Sequence, residues 1–343
     1  MSKINYYKHQ GQFKLESGQA IDELTIAYQT FGTYKPNGNN VVWVCHALTG
    51  NSNVFDWWQG VFGENSLFNP NEHFIVCANV IGSCYGTTGP LSPVNGRPLL
   101  DKFPLITTRD MAKAHDELRK ALEIKTIHLL IGASLGGQQA LEWSIAQPNV
   151  IKHLIVIASN ARHSAFGIAF NESQRLAINA DATYGNGNSD GGKKGLKAAR
   201  SIAMLGYRSY DGYKNTQTET DNAITDNFKA STYQQYQGEK LSKRFNAYTY
   251  VILSKAMDAH NVGRNQASIE EALKKISAKT LVIGITSDIL FPIIEQQFIS
   301  KCISKAQLKT IDSDFGHDGF LVENEQLCQH IFEFMHPLKK TTL

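Results

Sequence analysis

Short runs of β-branched and aliphatic residues constrain this chain more than any other feature. The clearest are VVWVCHAL (41–48), HFIVCANVIG (73–82), IHLLIGAS (127–134), HLIVIAS (153–159) and TLVIGITSD (280–288), with a weaker LKTIDSD at 308–314. Continuous apolar runs of this length fit strands covered on both faces, as in a parallel sheet. Helix-period segments separate several of them. In RDMAKAHDELRKALEI (109–124), Met111, Ala114, Leu118 and Leu122 fall near one face. GGQQALEWSIAQP (136–148) reads as a helix stopped by Pro148, and ASIEEALKKISA (267–278) opens with Ser268 and Glu271 at capping-box spacing. Strand alternating with helix predicts an α/β fold.

The alternation breaks between about 161 and 275, a polar stretch rich in Asn, Gln, Tyr and Lys with no clear strand pattern. Its helix-like pieces, FNESQRLAINAD (170–181) and LKAARSIAMLGYRS (196–209), flank a loop-like GNGNSDGGKKG (185–195). The reading is a core domain of residues 1–160 and 276–343, with a helical cap of 161–275 inserted into it. GNSDGGKK (187–194) comes close to the phosphate-loop pattern, but it lacks the final Ser or Thr and follows no strand. Without a preceding strand its amides are not aimed at a phosphate, so it is set aside.

The chain has 343 residues and a net charge of +3, too small and too dispersed to suggest a nucleic-acid or membrane surface. Its five cysteines, Cys45, Cys77, Cys84, Cys302 and Cys328, include no CxxC pair and fit reduced thiols in a reducing compartment. No run approaches the length of a membrane span, and MSKINYYKHQGQF carries no apolar signal core. The expectation is a cytoplasmic protein.

Gly132-Ala133-Ser134-Leu135-Gly136 matches G-x-S-x-G, with a strand ending on it and a helix beginning after it. That is the strand–turn–helix setting of a nucleophile elbow, in which glycines let a sharp turn lift the serine hydroxyl above the sheet. Serine alone is a weak nucleophile and needs a base oriented by a third group. Asp288 closes the run at 280–288, and His317 follows Gly316 after the last run. The order Ser134, Asp288, His317 places all three at strand ends, where open α/β sheets build their sites. Asp312 and Asp314 are rival acids, but they precede His317 on its own strand or loop. His46 and His163 are the rival bases among eleven histidines. Acyl chemistry also needs an oxyanion hole, for which the backbone N–H groups of Leu135 and Leu48 are the candidates.

With these pieces in place, the sequence resembles the homoserine O-acetyltransferase family of α/β-hydrolase-fold acyltransferases. The resemblance runs through CHALTGNSNVFDWW (45–58), NVIGSCYGTTGP (79–90), FPLITTRDMAKAHDELRKALEI (103–124), GASLGGQQALEW (132–143), SNARHSAFGIAFNESQR (159–175), SDILFP (287–292) and GHDGFL (316–321). It implies a ping-pong reaction in which acetyl-CoA, a co-substrate, acylates Ser134 and L-homoserine then takes the acetyl group. His317 would serve as base, with Asp288 behind it. The resemblance also implies that Arg200, Tyr207 and Asp318 bind substrate, Arg200 at its carboxylate and Asp318 at its amino group. It implies no metal or cofactor, and a homodimer formed through the cap. The same machinery with succinyl-CoA or L-serine, or a serine hydrolase, is the alternative reading.

Overall fold

The computed structural model describes residues 3–36, 39–94 and 96–337. Its centre is an eight-stranded sheet. The strands are β1 (Asn5–Lys8), β2 (Thr25–Phe31), β3 (Val41–Cys45), β4 (Phe74–Ala78), β5 (Ile127–Ala133), β6 (Ile151–Ile157), β7 (Lys279–Ile285) and β8 (Ala306–Ile311). Across the sheet they run β1-β2-β4-β3-β5-β6-β7-β8. From β4 to β8 every pairing is parallel, whereas β2 pairs antiparallel with both β1 and β4.

The unbroken apolar runs have the cause expected of them. In β3, Val41, Trp43 and Cys45 face one apolar cluster while Val42 and Val44 face a second, so both faces of the strand are covered. The strands stop short of the sequence runs: β7 ends at Ile285 and β8 at Ile311, which leaves Asp288 on the loop beyond and His317 in a short 3-10 turn, Gly316–Asp318. β1 and β2 carry no such run and are additional to the sequence reading. β1 lies at the sheet edge, half-buried on one face, with Tyr6 60% exposed on the other.

Helix α1 (Thr108–Ala121) packs on α2 (Leu135–Ala146), which lies across β5 and β6. A capping box starts α1: Thr107 Oγ1 accepts from the Asp110 N–H and Asp110 accepts in return from the Thr107 N–H. Met111, Ala114 and Leu118 are buried on its inner face.

Between β6 and β7 the chain leaves the sheet for five helices: α3 (Ala165–Asn179), α4 (Lys193–Tyr207), α5 (Tyr210–Gln217), α6 (Lys229–Ser242) and α7 (Ala247–Asp258). α4 packs against both α3 and α6, and α3 against α7. The insert enters and leaves through one neck. Arg162 and Asn261 form an isolated antiparallel bridge there, and the Val262 N–H donates to Ala161 O at 2.9 Å. Arg109 ties this neck to the core: it donates to the carbonyls of Asn261 and Val262 while pairing with Glu16 and Glu142. Residues 262–275, grouped with the insert on sequence alone, lead into α8 (Ile269–Lys274). That helix packs against α2 and α9 (Ile293–Cys302) of the layer beside the sheet. α8 opens on Ser268, whose side chain accepts from the Glu271 N–H, and it is shorter than the 267–278 pattern suggested. The last helix is α10 (Asn324–Met335).

Candidate active site

Ser134 stands between β5 and α2 at φ 56° and ψ −125°, a backbone region that non-glycine residues rarely occupy. Its surroundings enforce that conformation. A Cβ on Gly132 would lie 2.2 Å from the Gly136 carbonyl oxygen, and one on Gly136 would lie 2.0 Å from the Cys45 carbonyl oxygen. A Cβ on Gly137 would meet Ser159 Cβ at 2.6 Å. The turn is also held by hydrogen bonds. The Ser134 N–H donates to Ile157 O at 3.0 Å, and Ser159 Oγ donates to Ser134 O at 2.9 Å.

His317 Nε2 is 2.9 Å from Ser134 Oγ, and His317 Nδ1 is 2.6 Å from Asp288 Oδ2. Because the carboxylate only accepts, Nδ1 carries the proton, and Nε2 is left to accept from the serine hydroxyl. Asp288 is itself fixed: Oδ1 accepts from the N–H groups of Leu290 and Phe291 at 2.8 and 2.9 Å. All three residues are buried. Burial alone pushes the His317 imidazole toward its neutral form. The Asp288 charge, the hydrogen bond to it and the Asp318 charge together outweigh burial and raise the pKa above its ordinary value. The Phe291 ring stacks on the imidazole with centroids 5.0 Å apart, and Phe320 meets it edge-on at 5.6 Å. Gly316, at φ 62°, brings this turn against the end of α4, where any Cβ would press on the Arg208 and Ser209 backbone at 2.9 Å.

The rival groups are engaged elsewhere. Asp312 accepts from Thr286 Oγ1 and Asp314 from Asn215, so neither is the hydrogen-bonding partner of the His317 imidazole. His46 donates through Nδ1 to Ala47 O and accepts at Nε2 from the Val80 N–H, which occupies both ring nitrogens. His163 lies among Gln138 and Asn171. Burial lowers the pKa of both His46 and His163 to about 4. Neutral and tied down, they hold loops in place.

Ser134 and His317 line a cavity of about 160 Å³ whose wall includes Leu48, Arg200, Tyr207, Arg244 and Asp318. The Leu135 amide opens α2, a position at which an N–H has no acceptor within the helix. Arg200 and Tyr207 come together from one face of α4, the guanidinium 5.2 Å from the ring centroid. Among the described residues, Arg200 Nε has no hydrogen-bond partner. Asp318 pairs with Arg208, Oδ2 to Nε at 3.2 Å. Arg244, absent from the sequence reading, reaches the cavity from just beyond α6. It donates to Thr49 O at 2.7 Å and to the Tyr85 hydroxyl at 2.8 Å. No local pattern signals it, because its partners lie 195 and 159 residues away. The described residues contain no group of acidic, His and Cys side chains placed to hold a metal ion.

A sheet of this order with a serine at the elbow after β5 defines the α/β-hydrolase class. The family model described as the alpha/beta hydrolase fold matches residues 40–324. The chain is 48% identical to a homoserine O-acetyltransferase of Cyclobacterium marinum, over 93% of this chain and 91% of that one. A solved homoserine O-acetyltransferase from Staphylococcus aureus superposes with a TM-score of 0.83 at 29% identity, covering 100% of this chain and 98% of the other. Esterase E22 superposes at 0.89 with 21% identity, covering 98% and 100%, and that likeness speaks to the fold alone. Within the α/β-hydrolase class, the chain belongs to the homoserine O-acetyltransferase family.

Proposed function

We propose that this protein transfers the acetyl group of acetyl-CoA to the γ-hydroxyl of L-homoserine, in two steps through an acyl-Ser134 intermediate. The observation that carries the reading is the hydrogen-bonded line Ser134–His317–Asp288 at the base of a cavity that also presents Arg200. In the first step His317 Nε2 takes the hydroxyl proton as Ser134 Oγ attacks the thioester carbonyl. The tetrahedral oxyanion sits against the amides of Leu48 and Leu135, and the coenzyme thiolate leaves with the proton from His317. In the second step His317 deprotonates the homoserine γ-hydroxyl, which attacks the acyl-serine, and Ser134 is released by the reverse proton transfer. Asp288 holds the imidazole tautomer throughout and stabilises its cationic form.

Arg200 suits the homoserine carboxylate: its Nε is unpaired and its fork can bind a carboxylate with two parallel hydrogen bonds. Tyr207 braces that guanidinium, and Asp318 offers a carboxylate to the ammonium group. The five-helix insert is the cap over this cavity. Its exposed Phe166, Leu176, Leu205 and Tyr210 support a homodimer formed through it, which light scattering on the purified protein tests. All five cysteines are free, which supports a reducing, cytoplasmic setting. No helix among the described residues is long and apolar enough to cross a membrane.

The test supplies acetyl-CoA or succinyl-CoA with L-homoserine, L-serine or no acceptor, and follows thiol release and product mass. Turnover confined to acetyl-CoA with L-homoserine is expected. Turnover with another pair reassigns the pocket, and release without acceptor makes the protein a hydrolase.

A further inference from the structure

A second recess, of about 250 Å³, has one lining residue in common with the cavity that holds Ser134. Arg244 lines both. The recess is basic. Lys193, the first residue of α4, Lys243, just past the end of α6, and Arg244 line it, against one carboxylate, Asp190. The two lysines are exposed and stand in no ion pair among the described residues; Glu239 on α6, itself paired with Lys197, is the carboxylate whose charge reaches both. This is also where the set-aside stretch 187–194 comes to lie, since Asp190, Gly191 and Lys193 belong to it.

The stretch does not work as a phosphate loop here. Three amides around the start of α4 are already taken: the Lys194 and Gly195 N–H groups donate to Asp181 Oδ2, and the Gly192 N–H donates to Thr183 Oγ1. Whatever anion enters therefore meets side-chain cations rather than a cradle of amides. Lysine suits phosphate as a mobile point charge, and arginine adds a directional fork.

We infer that this recess receives the phosphorylated nucleotide end of the thioester donor, with Arg244 at the passage between it and the acyl-transfer cavity. The inference rests on the acetyl-CoA reading given above. Three cations, one opening α4 and two just past the end of α6, line one recess, and the cavity with which it has Arg244 in common holds the nucleophile. A thioester whose carbonyl reaches Ser134 must lead its other end out of a cavity of about 160 Å³, and Arg244 is the residue that lines both that cavity and a basic one. The phosphates of the donor then supply countercharge beyond that of Asp190 in the lining and Glu239 on α6. Arg244 already holds Thr49 and Tyr85, so it forms the fixed side of the passage, while Lys193 and Lys243 are free to close on the ligand.

The test compares two donors that share the acetyl thioester and differ in the nucleotide, acetyl-CoA and S-acetylpantetheine, with L-homoserine as acceptor. The wild-type protein is expected to favour acetyl-CoA in kcat/KM, through KM, with an advantage that shrinks as salt is raised. In the Lys193→Ala/Lys243→Ala variant the advantage falls at least roughly tenfold, toward parity, since two charge-assisted contacts to phosphate are lost. Calorimetry with 3′-phosphoadenosine 5′-diphosphate gives a readout apart from activity: the wild type binds it and the variant binds it more weakly by a similar factor. A wild type that uses both donors equally, or a variant that keeps the full preference for acetyl-CoA, overturns the inference and leaves the acyl-transfer reading standing. A wild type that transfers from neither donor overturns the acyl-transfer reading itself.

Discussion

His317 Nδ1 lies 2.6 Å from Asp288 Oδ2 in a site where burial alone favours the neutral imidazole, and the carboxylate prevails. The imidazole pKa therefore stands above its ordinary 6.5. A general base works only when neutral, so with His317 in the proposed role kcat/KM rises with pH at low pH and levels off above a midpoint higher than 6.5. Asp288→Asn removes the charge that raises the midpoint. It also removes the obligate acceptor at Nδ1, so the midpoint moves down and kcat falls by about 10³- to 10⁴-fold. A pH–rate profile of both proteins checks this. A wild-type midpoint below 6.5 means that burial, not Asp288, governs the imidazole.

Ser134→Ala deletes one oxygen and keeps the backbone that carries it. Transfer is expected to drop by at least about 10⁴-fold. The urea midpoint should stay close to the wild type, because the strained φ of 56° costs alanine about as much as serine. Stopped-flow thiol release and equilibrium unfolding separate the two effects. Substantial transfer by this variant assigns the nucleophile elsewhere.

Gly136→Ala tests the elbow as a piece of packing. The added Cβ meets the Cys45 carbonyl oxygen at 2.0 Å, and neither β3 nor α2 can yield without shifting the sheet. The expected cost is roughly 3 kcal/mol, the upper end for overpacking a core. Gly185→Ala is the contrast: its φ is +77°, whereas Gly136 is helical, and a Cβ at Gly185 has no neighbour within 4 Å. Urea unfolding of both should show a much larger loss for Gly136→Ala. Equal losses would mean that the close approach to Cys45 costs no more than the dihedral strain of a Cβ at Gly185.

Arg200→Ala removes the unpaired guanidinium facing the cavity. Losing a charge-assisted pair costs about 1.5–3 kcal/mol, so the homoserine KM should rise roughly ten- to a hundredfold while the acetyl-CoA KM moves little. Initial rates over a grid of both substrates measure the two constants. An unchanged homoserine KM places the carboxylate elsewhere.

The hydrogen-bonded line Ser134–His317–Asp288, proposed above as catalytic, was legible in the sequence because each member sits on a local signature. Ser134 has glycines at fixed spacing, and Asp288 and His317 each follow an apolar run by a few residues. The parallel strands were legible because burial on both faces leaves unbroken apolar runs. β1 and β2 were not, since an edge strand that exposes Tyr6 while half-burying Tyr7 has no run to find. The insert could be read as helical, but its return to the core at Asn261 could not: the neck is made by backbone bonds between residues about a hundred positions apart. Arg244 shows the same limit. Its place between two cavities arises only when α6 ends beside the loop after β3, and nothing in LSKRFNAY announces it.

The central claim is that Ser134 carries the acetyl group between two substrates. It is tested most directly by mixing the protein with acetyl-CoA alone, quenching in acid and mapping the acetylated peptide by mass. The account predicts one acetyl group per chain, on Ser134, lost when L-homoserine is added before the quench and recovered as O-acetyl-L-homoserine. Acetylation at another residue, or transfer to homoserine with no acetyl-protein at any time after mixing, would contradict it.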